Sequence, residues 1–248
     1  MIKLKNLEQM KGIRRSCELL SEMFAVIKPM VIAGITTGEL DREARAFISS
    51  RGAVPSFLGY YDYPAGLCIS INEEVIHGIP GKRRLENGDV VGIDCGINLD
   101  GYFSDAALTI AVPPVAPKCA RLLQVTRECL DRAIAAVKPG GRIHDISRAV
   151  YGHARTAGFG VVRQYCGHGV GLAVHEDPQV PNYIGAGPNP RIVPGMVLAI
   201  EPMINLGGDG VEELDDGWTV VTRDRSISAH FEHTVAITAE GVQVLTSW

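Results

Sequence analysis

The 248-residue chain is 46% hydrophobic and 21% charged, as expected of a globular protein that buries a core. Its net charge of -4, from 24 basic and 28 acidic residues with no dense Lys/Arg run, argues against a nucleic-acid partner. No run of about 20 apolar residues could span a membrane, the N-terminus lacks the apolar region and cleavage site of a secretory signal, and the six scattered cysteines form no Cys-x-x-Cys pair, so the expected location is a reducing cytoplasm.

Leu7, Met10, Ile13, Cys17, Leu20, Phe24 and Ile27 recur at helical spacing and predict an amphipathic helix from about Asn6 to Met30, ended by Pro29 and Gly34. Thr36 and Glu39 fit a capping box that opens a second helix running to about Arg51, closed by Gly52. Ser56 to Pro64 reads as an aromatic loop, Cys68 to Ile71 as a short strand, and Val75 to Pro80 as a strand end or turn. Asn87-Gly88-Asp89 turns into a buried strand, Val90 to Ile97. A four-residue turn over Asn98 to Gly101 then returns the chain through Tyr102 to Val112 as a hairpin. Pro113, Pro114 and Pro117 mark a linker between an N-terminal half (about 1–113) and a C-terminal half (about 117–248). Helices are expected from about Pro117 to Val137 and about His144 to Ala157. Strands follow at Val161 to Tyr165, Met196 to Ile200, Trp218 to Thr222 and Ser228 to Thr238. This order favours an α+β fold over a doubly wound parallel sheet.

The hairpin carries the first chemistry. With a four-residue turn, Ile97 faces Tyr102 and Asp94 faces Asp105, their Cβ atoms about 5 Å apart. Two carboxylates so placed in an apolar strand repel each other and lose hydration, and a divalent cation between them would relieve both costs. A slipped register with one aspartate solvated is the other reading, and the sequence does not choose. The C-terminal half adds His168 between glycines that permit close approach, Glu201 at the end of the apolar run Met196 to Ile200, and Glu232 on the strand face of His230 and Thr234. Each taken alone also fits a structural or solvated role. Together, two Asp, one His and two Glu match the donors that a carboxylate-bridged pair of ions needs to activate a water.

The strings Asn72-Glu73 with His77-Gly78-Ile79-Pro80, Gly92-Ile93-Asp94, Tyr102-Phe103-Ser104-Asp105, Gly167-His168-Gly169, His175-Glu176, Pro194-Gly195-Met196 with Ile200-Glu201-Pro202, and Phe231-Glu232-His233-Thr234 resemble those of the methionine aminopeptidases. The likeness runs from about Gly12 to Thr238, and the short His175 to Glu201 spacing is similar to the type I form. The resemblance implies a pita-bread fold: a curved antiparallel sheet backed by two helix pairs, with pseudo-two-fold halves forming a single catalytic domain. It implies that Asp94 chelates one metal, Asp105 and Glu232 bridge two, and His168 and Glu201 bind the other, the ions being Mn, Fe, Co or Zn. Glu201 would move the proton of the attacking water, and His77 and His175 would contact substrate, His175 stabilising the oxyanion. Tyr60, Tyr63, Cys68 and Trp218 match the methionine pocket. The implied partners are nascent polypeptide N-termini with a small second residue and, transiently, the ribosome, with the chain a monomer.

Three residues depart from that pattern. Phe57 stands where relatives often carry Cys, Val174 where they often carry Phe, and His230 where Gln is expected. These put the pocket's shape in question rather than the reaction. The competing readings are a prolidase or aminopeptidase P on the same scaffold, a non-enzymatic binding module, and a duplicate enzyme of narrowed role.

Overall fold

Asn6 opens α1 (Leu7–Ile27): its side chain accepts the Gln9 N–H while Gln9 accepts the Asn6 N–H, a capping box that satisfies two donors of the first turn. Ile13, Leu20, Met23, Phe24 and Ile27 line the buried stripe, and a 3-10 turn over Lys28–Met30 containing Pro29 ends the helix. Thr36 and Glu39 form the second box at the head of α2 (Thr37–Ser50).

The computed structural model describes all 248 residues. After α2 come β1 (Val54–Pro55), β2 (Cys68–Ile71), β3 (Glu74–Ile76), and the hairpin β4 (Val90–Leu99) and β5 (Tyr102–Ala111). The second helix pair is α3 (Pro117–Ala136) and α4 (Ile143–Thr156). Strands β6 (Gly160–Val161), β7 (Gly167–Gly169), β8 (Glu176–Val180), β9 (Val197–Ile200) and β10 (Met203–Asn205) follow. The last are β11 (Val211–Glu213), β12 (Val220–Thr222), β13 (Ser228–His230), β14 (Glu232–Thr238) and β15 (Gly241–Val244). Nine strands make the main antiparallel sheet, along the path β1-β4-β5-β14-β9-β7-β8, with β2 on β4 and β15 on β14. Small sheets β13-β10-β6 and β11-β12-β3 lie beside it. No helix is long and apolar enough to cross a membrane.

Alternation along the strands separates core from cavity. Ile93, Cys95 and Ile97 of β4, Ala106 and Leu108 of β5, Leu198 and Ile200 of β9, and Val235 and Ile237 of β14 join the core built with both helix pairs. The intervening residues of the same strands face the other way.

Three sequence expectations need correction. The hairpin turn has two residues, Asp100 and Gly101, with φ of 55° and 83°. Asp-Gly suits this left-handed turn, whose twist matches the strands, and the Asn98 side chain accepts the Gly101 N–H at 2.9 Å. The register therefore shifts: Asp94 faces Ala107 and Asp105 faces Gly96, so the two aspartates are diagonal neighbours on one face rather than directly opposed. The expected strand Val161 to Tyr165 stops at Val161. The strand expected over Ser228 to Thr238 is broken at Phe231, which enters the core. His230 pairs with Met203 in a small sheet, and Glu232 pairs with Ala107 in the main one. The chain makes a second crossing at Glu201-Pro202, between β9 and β10.

Because nothing lies within 4 Å of a Cβ built on Gly101, Gly101→Val tests backbone strain alone. It is expected to lower stability by about 1–2 kcal/mol, whereas Asp100→Asn should stay within about 0.5 kcal/mol of the parent. Urea unfolding measures both, and an unchanged midpoint for Gly101→Val would contradict the two-residue turn.

Candidate active site

Five adjacent strands each deliver one donor to a common face. Asp94 comes from β4, Asp105 from β5, Glu232 opens β14, Glu201 follows β9, and His168 is the centre of β7. Asp94 and Glu232 flank Ala107, their shared pairing partner on β5. His168 pairs with Ala199, two residues before Glu201. The glycines beside His168 meet the close-approach requirement. A Cβ on Gly167 would lie 2.4 Å from the Ala199 carbonyl oxygen, and one on Gly169 2.3 Å from that of Asp177.

Hydroxyl groups pin the junction between the two halves, where β5 and β14 share two pairs. Thr234 Oγ1 accepts the Asp105 N–H at 3.2 Å and donates to the Asp105 carbonyl at 2.7 Å. Thr109 Oγ1 does the same for His230, at 2.9 and 2.6 Å. Asn182 donates to the Glu201 carbonyl at 2.9 Å. None of these three supports carries a local sequence signal, because each acts across a long stretch of chain.

The strands enclose a cavity of about 280 Å³ lined by Asp94, Asp105, His168, Glu201 and Glu232, by His77 and His175, and by Tyr60, Tyr63, Cys68 and Trp218. Every site residue named from the sequence is thus brought to one cavity. Phe57, Tyr61 and Ile76 also line it, and Val174 packs in the same apolar cluster as Phe57, Tyr63 and Cys68. His230, noted from the sequence as a departure alone, is buried with Nε2 3.5 Å from Glu201 Oε2.

The donors are set for a cation. His168 Nδ1 donates to the Gly169 carbonyl at 2.9 Å, which turns Nε2 toward Asp105 Oδ2 (3.8 Å) and Glu201 Oε1 (3.5 Å); metal-binding histidines are usually held this way. Donor atoms of Asp105, His168 and Glu232 lie within 4.8 Å of one another. Asp94 Oδ1, Asp105 Oδ1 and Glu232 Oε1 are buried without a hydrogen-bond partner, and no Lys or Arg lines the cavity. Burial, opposed by His230 and reinforced by Glu201, pushes the Asp94 carboxyl up to about 7. Burial and neighbouring carboxylates raise Asp105 and Glu232 as well. Burial acts on Glu201 in the same direction, but His230, His168 and His175 outweigh it and hold that carboxyl below its ordinary range. Orphaned carboxylate oxygens that resist ionisation without a counter-charge fit a divalent-cation site.

Above the donors, His175 stands at the cavity mouth, its ring 4.3 Å from that of His168 and its Nδ1 3.0 Å from the Tyr60 hydroxyl. His77 follows β3 with a φ of 60°, and its ring stands edge-on to Tyr165 and Trp218. Desolvation lowers its pKa to about 4, keeping it neutral. Tyr63 is buried, its hydroxyl held by the Leu67 and Gly78 carbonyls and its ring edge-on to Trp218 at 5.0 Å. These rings and Cys68 make one wall of the cavity apolar.

Residues 11–239 match the model of metallopeptidase family M24. The chain is 53% identical to a methionine aminopeptidase of Treponema pallidum, over 99% of this chain and 96% of that protein. The crystal structure of a Thermotoga maritima methionine aminopeptidase superposes with a TM-score of 0.97 at 37% identity, each chain fully covered. A Pyrococcus furiosus prolidase also aligns (TM-score 0.82, 25% identity), but 99% of this chain covers 65% of that one. With its antiparallel sheet, two helix pairs and acidic cavity, the chain belongs to metallopeptidase family M24 and, within it, to the methionine aminopeptidases.

Proposed function

We propose that this enzyme removes the initiator methionine from new polypeptides with a small second residue, using a dinuclear metal centre held by Asp94, Asp105, His168, Glu201 and Glu232. The observation that carries the reading is the convergence of these five donors, with three orphaned carboxylate oxygens, beside an apolar wall. Four carboxylates and no cationic side chain in the cavity balance the charge of two divalent ions. Asp105 and Glu232, on the adjacent strands β5 and β14, would each contribute to holding the ions, with Asp94, His168 and Glu201 completing the set. Divalent cations (Mn, Fe, Co or Zn) bound by these donors supply the Lewis acidity that brings a water's proton loss toward neutral pH.

The side chains divide the remaining work. Glu201, held below the ordinary carboxylate range, is ionised and accepts the proton of the attacking water, then passes it to the leaving amine. Tyr60 donates to His175 Nδ1, so that Nε2 carries the proton and donates to the oxyanion of the tetrahedral intermediate. Neutral His77 orients the peptide beside Trp218. Tyr63, Cys68 and Trp218 receive the methionine side chain, whose flexible thioether packs well against rings. Both halves act as a single catalytic unit, because Asp94 and Asp105 precede the 113–117 linker and His168, Glu201 and Glu232 follow it.

Chelated protein given Mn or Co at a hundred times its Kd is expected to gain about 2.7 kcal/mol, seen as a melting point about 5–10 °C higher. Asp105→Asn should abolish most of that shift; a full shift in the variant would remove Asp105 from the site. On metal-loaded enzyme, Met-Ala-x peptides should be cleaved and Xaa-Pro peptides left intact. Cleavage of the second set alone would favour a prolidase. Glu201→Ala should eliminate turnover, and His175→Ala should lower kcat by about 10²–10³-fold with metal retained; full activity in either would contradict its role.

A further inference from the structure

Glu176, next to His175, forms an ion pair with Lys5 that is almost wholly withdrawn from water, the side chains being 2% and 1% exposed and Nζ lying 2.8 Å from Oε2. The other carboxylate oxygen, Oε1, accepts the Leu172 and Ala173 N–H groups at 2.6 and 3.1 Å. One carboxylate therefore gathers the segment before His175, while Lys5 anchors it to the N-terminal segment. Lys5 is itself fixed: its N–H donates to the Gly195 carbonyl at 2.7 Å, and Nζ donates to the Lys3 carbonyl at 3.1 Å. A Cβ on Gly171 would sit 2.4 Å from Ile13 Cδ1 and 3.3 Å from Lys5 Cε, so the glycine lets the segment lie close against α1, with the lysine beside it.

Within the segment itself, backbone hydrogen bonding is sparse: Gly171 donates to the Ala173 carbonyl at 3.2 Å and accepts from Phe103 at 2.9 Å. A buried ion pair is weak as a source of net stability, since desolvation offsets most of its attraction. What it provides is geometry, and the geometry here ends on His175. The ring of His175 is exposed at the cavity mouth and makes one side-chain hydrogen bond, to Tyr60, so its placement depends on the backbone beneath it.

We propose that Lys5 and Glu176 are positioning residues for His175, holding its backbone so that the ring meets the reacting carbonyl. This rests on the donor role proposed above for His175. The pair touches neither substrate nor cation; it acts through the loop.

A double-mutant cycle on the metal-loaded enzyme tests this. Lys5→Met, and Lys5→Met/Glu176→Gln, which leaves no unpaired charge should the single variant fail to fold, are each made in the parent and in His175→Ala. The kcat and KM on a Met-Ala-x peptide are measured with metal content. In the parent, kcat should fall roughly 10- to 100-fold with KM and bound metal little changed, and Lys5→Arg should recover much of the loss. In His175→Ala the same substitutions should cost nothing further. A loss that persists undiminished in His175→Ala would overturn the proposal in favour of a general structural role. A slow His175→Ala beside fully active Lys5 variants would overturn the positioning alone. Full activity of His175→Ala would overturn the donor role and the proposal with it.

Discussion

The mutual repulsion of four carboxylates in a cavity without Lys or Arg is the constraint around which this molecule is built. Two like charges about 4 Å apart in a partly buried setting repel by about 4 kcal/mol, a large share of the roughly 5–15 kcal/mol by which a domain is stable. Three of the four respond by resisting ionisation. The fourth, Glu201, is flanked by His168 and His230 and does not. A fold that keeps such a cluster must grip each backbone segment firmly and must supply a counter-charge.

The grip comes from strand order. Placing β4, β5, β14, β9 and β7 side by side turns donors spread over residues 94 to 232 into neighbours. The aspartates belong to one hairpin; the other three donors arrive from the second half of the chain. In the main sheet, the seam between the halves is a ladder of two pairs, with Thr109 and Thr234 bonding across its two ends. The reciprocal pattern, a threonine of each half holding a donor or its neighbour from the other, fits the pseudo-two-fold relation between them. At Glu201-Pro202 and at Phe231 the chain passes between sheets without losing the alternation: Ile200 and Phe231 enter the core, and the residues that follow them, Glu201 and Glu232, face the cavity.

Much of this was legible in the sequence because it is local. The first helix announces itself by its apolar spacing from Leu7 to Ile27, the second by the capping box at Thr36, and the hairpin by its apolar run and the turn residues from Asn98 to Gly101. A four-residue turn gives the wrong register, whereas the left-handed conformation that Asp100 and Gly101 favour by residue type gives the observed one. Parity is unaffected, so both aspartates still share a face. Strands of two or three residues, such as β7 and β10, carry no periodicity to detect. His168 stands out by its glycine neighbours and the family likeness. Lys5 and Thr234 do not, since an N-terminal lysine and a strand threonine are ordinary until the fold brings them to Glu176 and Asp105.

His230, placed against Glu201, supplies a nitrogen where the family pattern suggests an amide, and Phe57 and Val174 share one apolar cluster. These features bear on pocket shape and on the surroundings of Glu201, and leave the five donors intact. The most direct measurement of the central claim is anomalous diffraction from crystals of the enzyme grown with Mn. The account predicts two peaks in the cavity, each within coordination distance of the carboxylates. A cavity without a peak under saturating Mn, or ions bound elsewhere on the surface alone, would contradict it.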